Sequence, residues 1–401
     1  MKLKKLFGFV HLWMGLASGI VVFIIGITGC LYCFDNELKN YFNSDKIYVE
    51  NSNQPRLALD SLKIVAQNAL GAQYPISGIE YSTAENKSWL FKASLYNKEG
   101  NTFNQMYRYN KTVYINPYNA KIINIENTKW SFFQIVISLH LNLMMGNIGK
   151  QIVGWATVIF VLSLITGLIL WWPKNKAALK RRIKFAWKDT SRWKRKNYDL
   201  HNVIGFYAMP LLLLIGLTGL VFAFKWFDDN VQLAFNGGTK HKHVMASSDT
   251  TKTTSQKTSL DKVITDATAK FPEANTFNLT MPKTKKATLN ITVQSVDGRR
   301  YKRATINYDQ SSGVPLMQMG YDNKNPGQKF RAMTIDLHDG SIAGFWGRVL
   351  AFLISLIAAS LPVTGFYIWW GRKYKKKAQA KKTVLAVNTN QLNGKQQLSI
   401  N

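Results

Sequence analysis

Four stretches of the chain, roughly 9–34, 151–172, 202–224 and 349–370, contain no Asp, Glu, Lys or Arg. Each reaches or exceeds the ~20 apolar residues needed to cross a hydrocarbon core about 30 Å thick, so the sequence predicts four transmembrane helices. This excludes most soluble architectures, because in lipid every backbone N–H and C=O must find its partner within the protein. Pro210 and Pro362 fall inside two of the stretches, where neighbouring helices can satisfy the carbonyls that proline frees.

Positive charge gathers at the ends of these stretches. Lys2, Lys4 and Lys5 precede the first, eleven Lys and Arg lie between Lys174 and Lys196, and Arg372, Lys373 and Lys375–Lys377 follow the last. Basic residues near membrane ends favour the cytoplasmic side, so both termini and the middle loop are expected inside. The expected order is an N-terminus (1–8), a first span (9–34) and an external module (35–139), then an outer histidine segment with the second span (140–172). A basic cytoplasmic loop (173–200), a third span (201–225) and a second external module (226–337) follow, the last containing a flexible Gly/Ser/Thr/Lys-rich linker (236–258). An outer histidine segment with the fourth span (338–370) and a cytoplasmic tail (371–401) complete the chain. The formal charge of +30 invites a nucleic-acid reading, but the densest basic clusters are juxtamembrane and face anionic lipid. The expected partner is the bilayer, with no nucleic acid. The N-terminal apolar run is too long for a usual signal peptide, and three further spans follow it.

The chain repeats itself. Shifted by 198 positions, His140, Gly146, Gly149, Thr166, Gly167, Trp171 and Trp172 fall on His338, Gly344, Gly347, Thr364, Gly365, Trp369 and Trp370, and Lys150 falls on Arg348. Shifted by 190, His11, Gly15, Gly26, Thr28, Gly29 and Phe34 fall on His201, Gly205, Gly216, Thr218, Gly219 and Phe224. The expected fold is therefore membrane α-helical, four spans as two parallel tandem repeats, each with an external α+β module. Within the modules, periodicity predicts helices over 57–72 and 259–271, and β-branched or aromatic runs predict strands over 88–96, 105–116, 286–296 and 301–308. Neither module contains a nucleophile–base set, a glycine-rich phosphate loop or a cysteine framework.

Of six histidines, four are matched by the repeats. Ionisable side chains at membrane depth are by default functional hypotheses. In the expected topology His11 and His201 begin their helices on the inner side, while His140 and His338 precede theirs on the outer side. They can meet only across the duplication, His11 with His201 and His140 with His338, about an axis along the membrane normal. Paired neutral imidazoles in an apolar bundle suit a low-spin b-type haem. Gly15, Gly205, Gly146 and Gly344 leave room for a flat macrocycle or for close helix contact, and Lys150 and Arg348 are candidate partners of the outer haem propionates, or of lipid phosphate. Zinc usually takes three or four ligands, and the spans hold no carboxylate to complete such a set. His241 and His243 have no repeat partner and are read as solvated linker residues. Cys30 and Cys33 share a helix face and are read as buried membrane thiols.

The HxxxG…GxTG helices, the LHxxxxxGxxG…TGxxxWW helices and the modules between them resemble the PepSY-associated transmembrane-helix family over about residues 4–375. Its characterised members include inner-membrane di-haem reductases of ferric siderophores. The resemblance implies two haem b groups held through iron by His11 and His201 inside and by His140 and His338 outside. It also implies a membrane-bound, haem-dependent ferric reductase acting on a ferric siderophore or another external ferric chelate. Some relatives carry fused flavin and nicotinamide domains; this chain has no such region, so the expected donor is quinol or a separate cytoplasmic protein. Two other functions fit the sequence: a haem-free adaptor that regulates a peptidase or another partner through its PepSY-like modules, and a metal transport or sensing component using the histidines as ligands. A visible spectrum separates them.

Overall fold

The apolar stretches fold as four long helices: α1 (Lys2–Tyr32), α5 (Gly146–Trp171), α6 (Trp193–Ala223) and α10 (Gly344–Leu398). The computed structural model describes residues 2–50, 54–185, 187–241, 246–249, 258–295 and 297–398. Only 22% to 33% of the most apolar window of each long helix is buried inside the protein, so most of this apolar surface is left for lipid. Polar groups on the same helices turn inward instead: Ser18, Thr28, Thr166 and Thr218 are buried, while Phe9, Trp13, Ile20, Trp155 and Tyr207 are exposed. Small residues set the close crossings, as is usual where lipid removes the hydrophobic drive for helix association. A Cβ on Gly26 of α1 would lie 3.0 Å from Ala359 Cβ of α10, and one on Gly216 of α6 would lie 2.8 Å from Val161 of α5.

Apart from a short helix in the loop between α5 and α6, Lys176–Arg182, the remaining secondary structure gathers at the other end of the bundle. A short helix α2 (Asp35–Phe42) follows α1, and a helix α3 (Leu59–Leu70) precedes strands β1 (Gly78–Ser82), β2 (Trp89–Tyr96), β3 (Tyr107–Ile115) and β4 (Ile122–Glu126). After α6 come α7 (Lys225–Phe235), α8 (Leu260–Lys270) and strands β5 (Thr276–Thr280), β6 (Leu289–Val293), β7 (Ala304–Tyr308) and β8 (Pro315–Met319). The expected helices and the four expected strands are present, but the two modules are not separate bodies. All eight strands form one antiparallel sheet in the order β4-β3-β2-β1-β5-β6-β7-β8. The join is the β1–β5 pair, running from Gly78 opposite Thr280 to Ser82 opposite Thr276.

One core serves both segments. Leu59, Leu62 and Ala66 of α3 and Val263, Ile264 and Ala267 of α8 pack with Ile79, Phe91, Val113, Phe277, Ile291 and Ile306 of the sheet in a single buried cluster. Strands β2, β6 and β7 alternate buried with partly exposed positions, the pattern of a sheet covered on one face. The two helices also cap each other. Asp60 Oδ2 accepts from Leu260 N and Ser259 Oγ, both at 2.8 Å, and Asp261 accepts from Leu59 N at 2.6 Å and Asp60 N at 3.2 Å, so each aspartate satisfies donors left free at the other helix's N-terminus.

The outer histidine segments differ from a plain extension of the membrane helices. His140 lies in the last turn of a separate helix α4 (Phe132–Asn142), and His338 ends a separate helix α9 (Pro326–His338). Sharp turns then lead into α5 and α10. Leu143, Met144 and Gly146 have φ of 52°, 58° and 58°, and Gly340 and Gly344 have φ of 78° and 69°. Gly146 and Gly344 therefore serve these left-handed turns, where glycine carries no Cβ penalty, a role beside the room for a macrocycle or close helix contact expected from their register.

Candidate functional site

The structure brings the four matched histidines together in the expected pairs. The ring centroids of His11 and His201 are 6.4 Å apart with planes at 79°, and those of His140 and His338 are 6.1 Å apart at 71°. The pairs sit at opposite ends of the bundle: His11 and Thr28, which contacts His140, lie seventeen positions apart on α1, about 25 Å of helix. We call them the loop-end pair and the sheet-end pair.

Each imidazole is held by the same device from a neighbouring helix. His11 Nδ1 lies 3.1 Å from both Thr166 Oγ1 and Ser163 O, and His140 Nδ1 lies 3.3 Å from Thr28 Oγ1 and 2.9 Å from Ile25 O. His201 Nδ1 lies 2.8 Å from Thr364 Oγ1, and His338 Nδ1 lies 2.9 Å from Thr218 Oγ1. Every one of these threonines donates its own hydroxyl proton to the carbonyl four residues back: Thr28 to Ile24, Thr166 to Leu162, Thr218 to Leu214 and Thr364 to Ser360. The hydroxyl oxygen is thus left as an acceptor, and the carbonyls beside it can only accept. Nδ1 must carry the proton, so the lone pair of each neutral imidazole is on Nε2. This assignment follows from the network of partners.

The glycine after each threonine completes the cradle. A Cβ on Gly29 would lie 3.2 Å from His140 Cε1, on Gly167 3.3 Å from His11 Cε1, on Gly219 3.6 Å from His338 Cε1 and on Gly365 3.3 Å from His201 Cε1. The repeated Thr-Gly step is therefore a histidine holder: threonine takes the Nδ1 proton and glycine admits the ring edge. Sequence reading found this step in register but did not assign it. His201 also sits on a π-helical turn, Leu200–Ile204, within α6, a local irregularity common at functional sites.

The loop-end pair opens onto a cavity of about 520 Å³ between the helices, within the usual size range of cofactor sites. Gly8, Gly15 and Gly205 line it, and a Cβ on Gly15 would meet nothing within 4 Å. Ser163 Oγ and Trp171 Nε1 line the same cavity and are buried without a hydrogen-bond partner, which is costly unless something else satisfies them. Lys4 and Arg372, read from the sequence only as juxtamembrane charge, also line it.

The other expected site residues lie elsewhere. Arg348 forms an ion pair with Glu37 of α2 and lies 5.7 Å from the centroid of the Phe34 ring, so its charge is already engaged. Lys150 is exposed. Cys30 and Cys33 are free and buried, with Cys30 Sγ 3.4 Å from Phe352 O. His241 is exposed, and His243 lies outside the described residues. Among the described residues no group of three or more His, Cys, Asp and Glu side chains converges; the histidines offer their nitrogens two at a time.

Four lipid-length helices with two half-buried imidazole pairs, joined at one end to a single antiparallel sheet, define a multi-span membrane protein. The chain belongs to the PepSY-associated TM region family, whose model matches residues 9–372. It is also 32% identical over 91 residues to Uncharacterized protein PA4219 of Pseudomonas aeruginosa, a match covering 21% of this chain and 20% of that relative. The matched segment thus spans about a fifth of the relative's length.

Proposed function

We propose that the protein carries electrons across the cytoplasmic membrane between two bis-histidine b-type haems and reduces ferric iron, held in a siderophore or similar chelate, at the sheet end. The carrying observation is the state of the four imidazoles: each has its Nδ1 proton committed and its Nε2 lone pair free, and they stand in two pairs at 6.4 Å and 6.1 Å. Two imidazole nitrogens each about 2.0 Å from one metal ion place their ring centroids about 6 Å apart. The donor set of two neutral imidazoles leaves four coordination positions to be filled by a macrocycle. The loop-end cavity, its glycines and its two orphaned donors fit such a group. When bound, haem supplies one-electron chemistry at iron; the chain's own part is to fix the imidazoles and to keep water from the apolar interior.

Charge supports the sidedness of this reading. The stretch from Lys174 to Lys196, which runs from the joining loop into the first turn of α6, carries eleven Lys and Arg, and Arg182 donates to Trp171 O and Lys4 to Trp172 O at the end of α5, where cations meet the negative end of a helix. We place this end in the cytoplasm and the sheet outside, and we read the two halves as a tandem duplication about an axis along the membrane normal. The electron donor at the loop end is then quinol or a separate protein.

The test is a visible spectrum of purified full-length protein with quantified haem. Two low-spin b-type haems per chain are expected, with His11→Ala or His201→Ala removing one and His140→Ala or His338→Ala the other. A colourless protein that is folded and membrane-inserted would falsify the reading.

A further inference from the structure

A second cavity, about 450 Å³, opens at the sheet end between α7, α9, the turn Arg300–Lys302 and β8. Four cations line it, Arg300, Arg303, Lys324 and Arg331, against one carboxylate, Asp228. Asp228 is engaged by Arg331 Nε at 3.3 Å, and Arg300 reaches Asp339 at 2.8 Å. Arg303 and Lys324 make no ion pair among the described residues; Lys324 Nζ donates only to Gly320 O, at 2.9 Å. Partial burial and the neighbouring Arg300 charge hold Arg303 below the usual guanidinium value, and burial lowers Lys324 as well. Both groups would gain from an incoming negative charge.

The cavity adjoins the sheet-end histidines through one ring. The Arg331 guanidinium lies 4.8 Å from the centroid of the Phe222 ring, and Phe222 lies 5.9 Å from the His338 ring at 86°. The cations have no counterpart in the first half of the chain. In the register that places His140 on His338, Lys324 falls on Glu126, Gln328 on Trp130 and Arg331 on Phe133. The helix that closes the first half's β2–β3 connection, Phe103–Met106, carries no basic residue. The imidazole pairs are thus built from both halves alike, whereas this pocket is built from one.

We propose that this pocket binds the external substrate, and that the substrate is a small polyanionic metal chelate whose free carboxylates engage Arg303 and Lys324. The assignment rests on the electron-transfer reading for its purpose but not for its binding chemistry. Arg presents a planar fork to a carboxylate and Lys a point charge, and their location beside Phe222 puts a bound chelate one aromatic ring from His338. Phospholipid headgroups carry the same kind of charge, so the experiment separates the two.

The probe is gallium(III) citrate, a redox-inert stand-in for the ferric complex, titrated calorimetrically into the full-length protein in uncharged detergent. Saturable binding that weakens with salt is expected, lowered about tenfold or more in an Arg303→Gln, Lys324→Gln double variant and retained in Arg303→Lys, Lys324→Arg. The cationic gallium complex of desferrioxamine B should bind much more weakly. Equal affinity of wild type and the Gln variant for gallium citrate, or equal affinity of the wild type for both complexes, would overturn the proposal. So would native mass spectra in which the wild type alone keeps an anionic phospholipid that citrate fails to displace. Gallium citrate binding by a haem-free protein would sink the electron-transfer reading and leave the pocket standing. A haem-loaded protein reoxidised by ferric citrate as fast in the Gln variant as in wild type would do the reverse.

Discussion

At the scale of residues, the unit of this protein is an imidazole, a threonine and a glycine. Thr218 makes the point: its hydroxyl proton goes to Leu214 O at 2.8 Å, and its oxygen takes the Nδ1 proton of His338 at 2.9 Å. Removing such a partner of a metal-binding histidine typically costs 10–100-fold in affinity. If the sheet-end pair holds a haem as proposed, Thr218→Val should lower its retention by about that factor, Thr218→Ser should restore it, and Thr166→Val should act instead on the loop-end site. Haem content and spectrum after detergent washing check this; full retention in Thr218→Val would remove the threonine from the argument. The histidines were legible in the sequence because polar residues in apolar stretches are conspicuous and four of them recur in register. Their holders were not, because His11 meets Thr166 at a separation of 155 positions and His140 meets Thr28 at 112, and nothing local in either segment records the meeting. Lys150 and Arg348 match in charge and register but differ in surroundings: Arg348 pairs with Glu37 on a helix that the register did not include, while Lys150 is exposed.

At the scale of elements, the strands within longer β-branched or aromatic runs were legible, while β1 and β5 were not. Strands β2 and β3 announce themselves through aromatic and β-branched runs, but β1 (GIEYS) and β5 (TFNLT) are five residues each. Their pairing sets the architecture, since without it the sheet would be two. Nor did hydropathy separate α4 from α5, because the intervening turn places apolar Leu143 and Met144, beside Gly146, in left-handed conformation. The reciprocal caps at α3 and α8 carry a prediction. Asp60→Ala and Asp261→Ala should each destabilise the sheet domain by about 1 kcal/mol, within the 0.5–2 kcal/mol range of N-cap losses. Asparagine at either site, which keeps a side-chain acceptor, should recover most of that. Because each carboxylate serves the other segment's helix, either alanine variant should loosen both halves together in hydrogen exchange. Loosening confined to the mutated segment would show that the two halves fold as independent units.

At the scale of the whole molecule, the chain stacks two imidazole pairs along one bundle with its basic interhelical loop at one end and its sheet at the other. If electrons enter at the loop end and leave at the sheet end, the two sites cannot be interchangeable. His140 and His338 adjoin the sheet and, through Phe222, the cationic pocket, while His11 and His201 face a cavity edged by Lys4 and Arg372, where a quinol or a protein donor can approach. Reporters fused between Lys174 and Lys196 should read as cytoplasmic and those near residue 100 as external, because charge asymmetry of this size fixes orientation; the reverse result would exchange every assignment of donor and acceptor. With sidedness fixed, single-site variants test direction. Reduced wild-type protein in detergent should be reoxidised by added ferric chelate, and so should His11→Ala, because its sheet-end site still meets the oxidant directly. His338→Ala, which keeps only the loop-end site, should stay reduced over the same interval. Stopped-flow absorbance at the haem Soret band reads all three. In membranes the order inverts for the physiological donor: His11→Ala should fail to draw electrons from quinol although it still passes them to iron when reduced artificially. Equal reoxidation of both variants in detergent would mean that either site reaches the oxidant, and the bundle would then not be a one-way path.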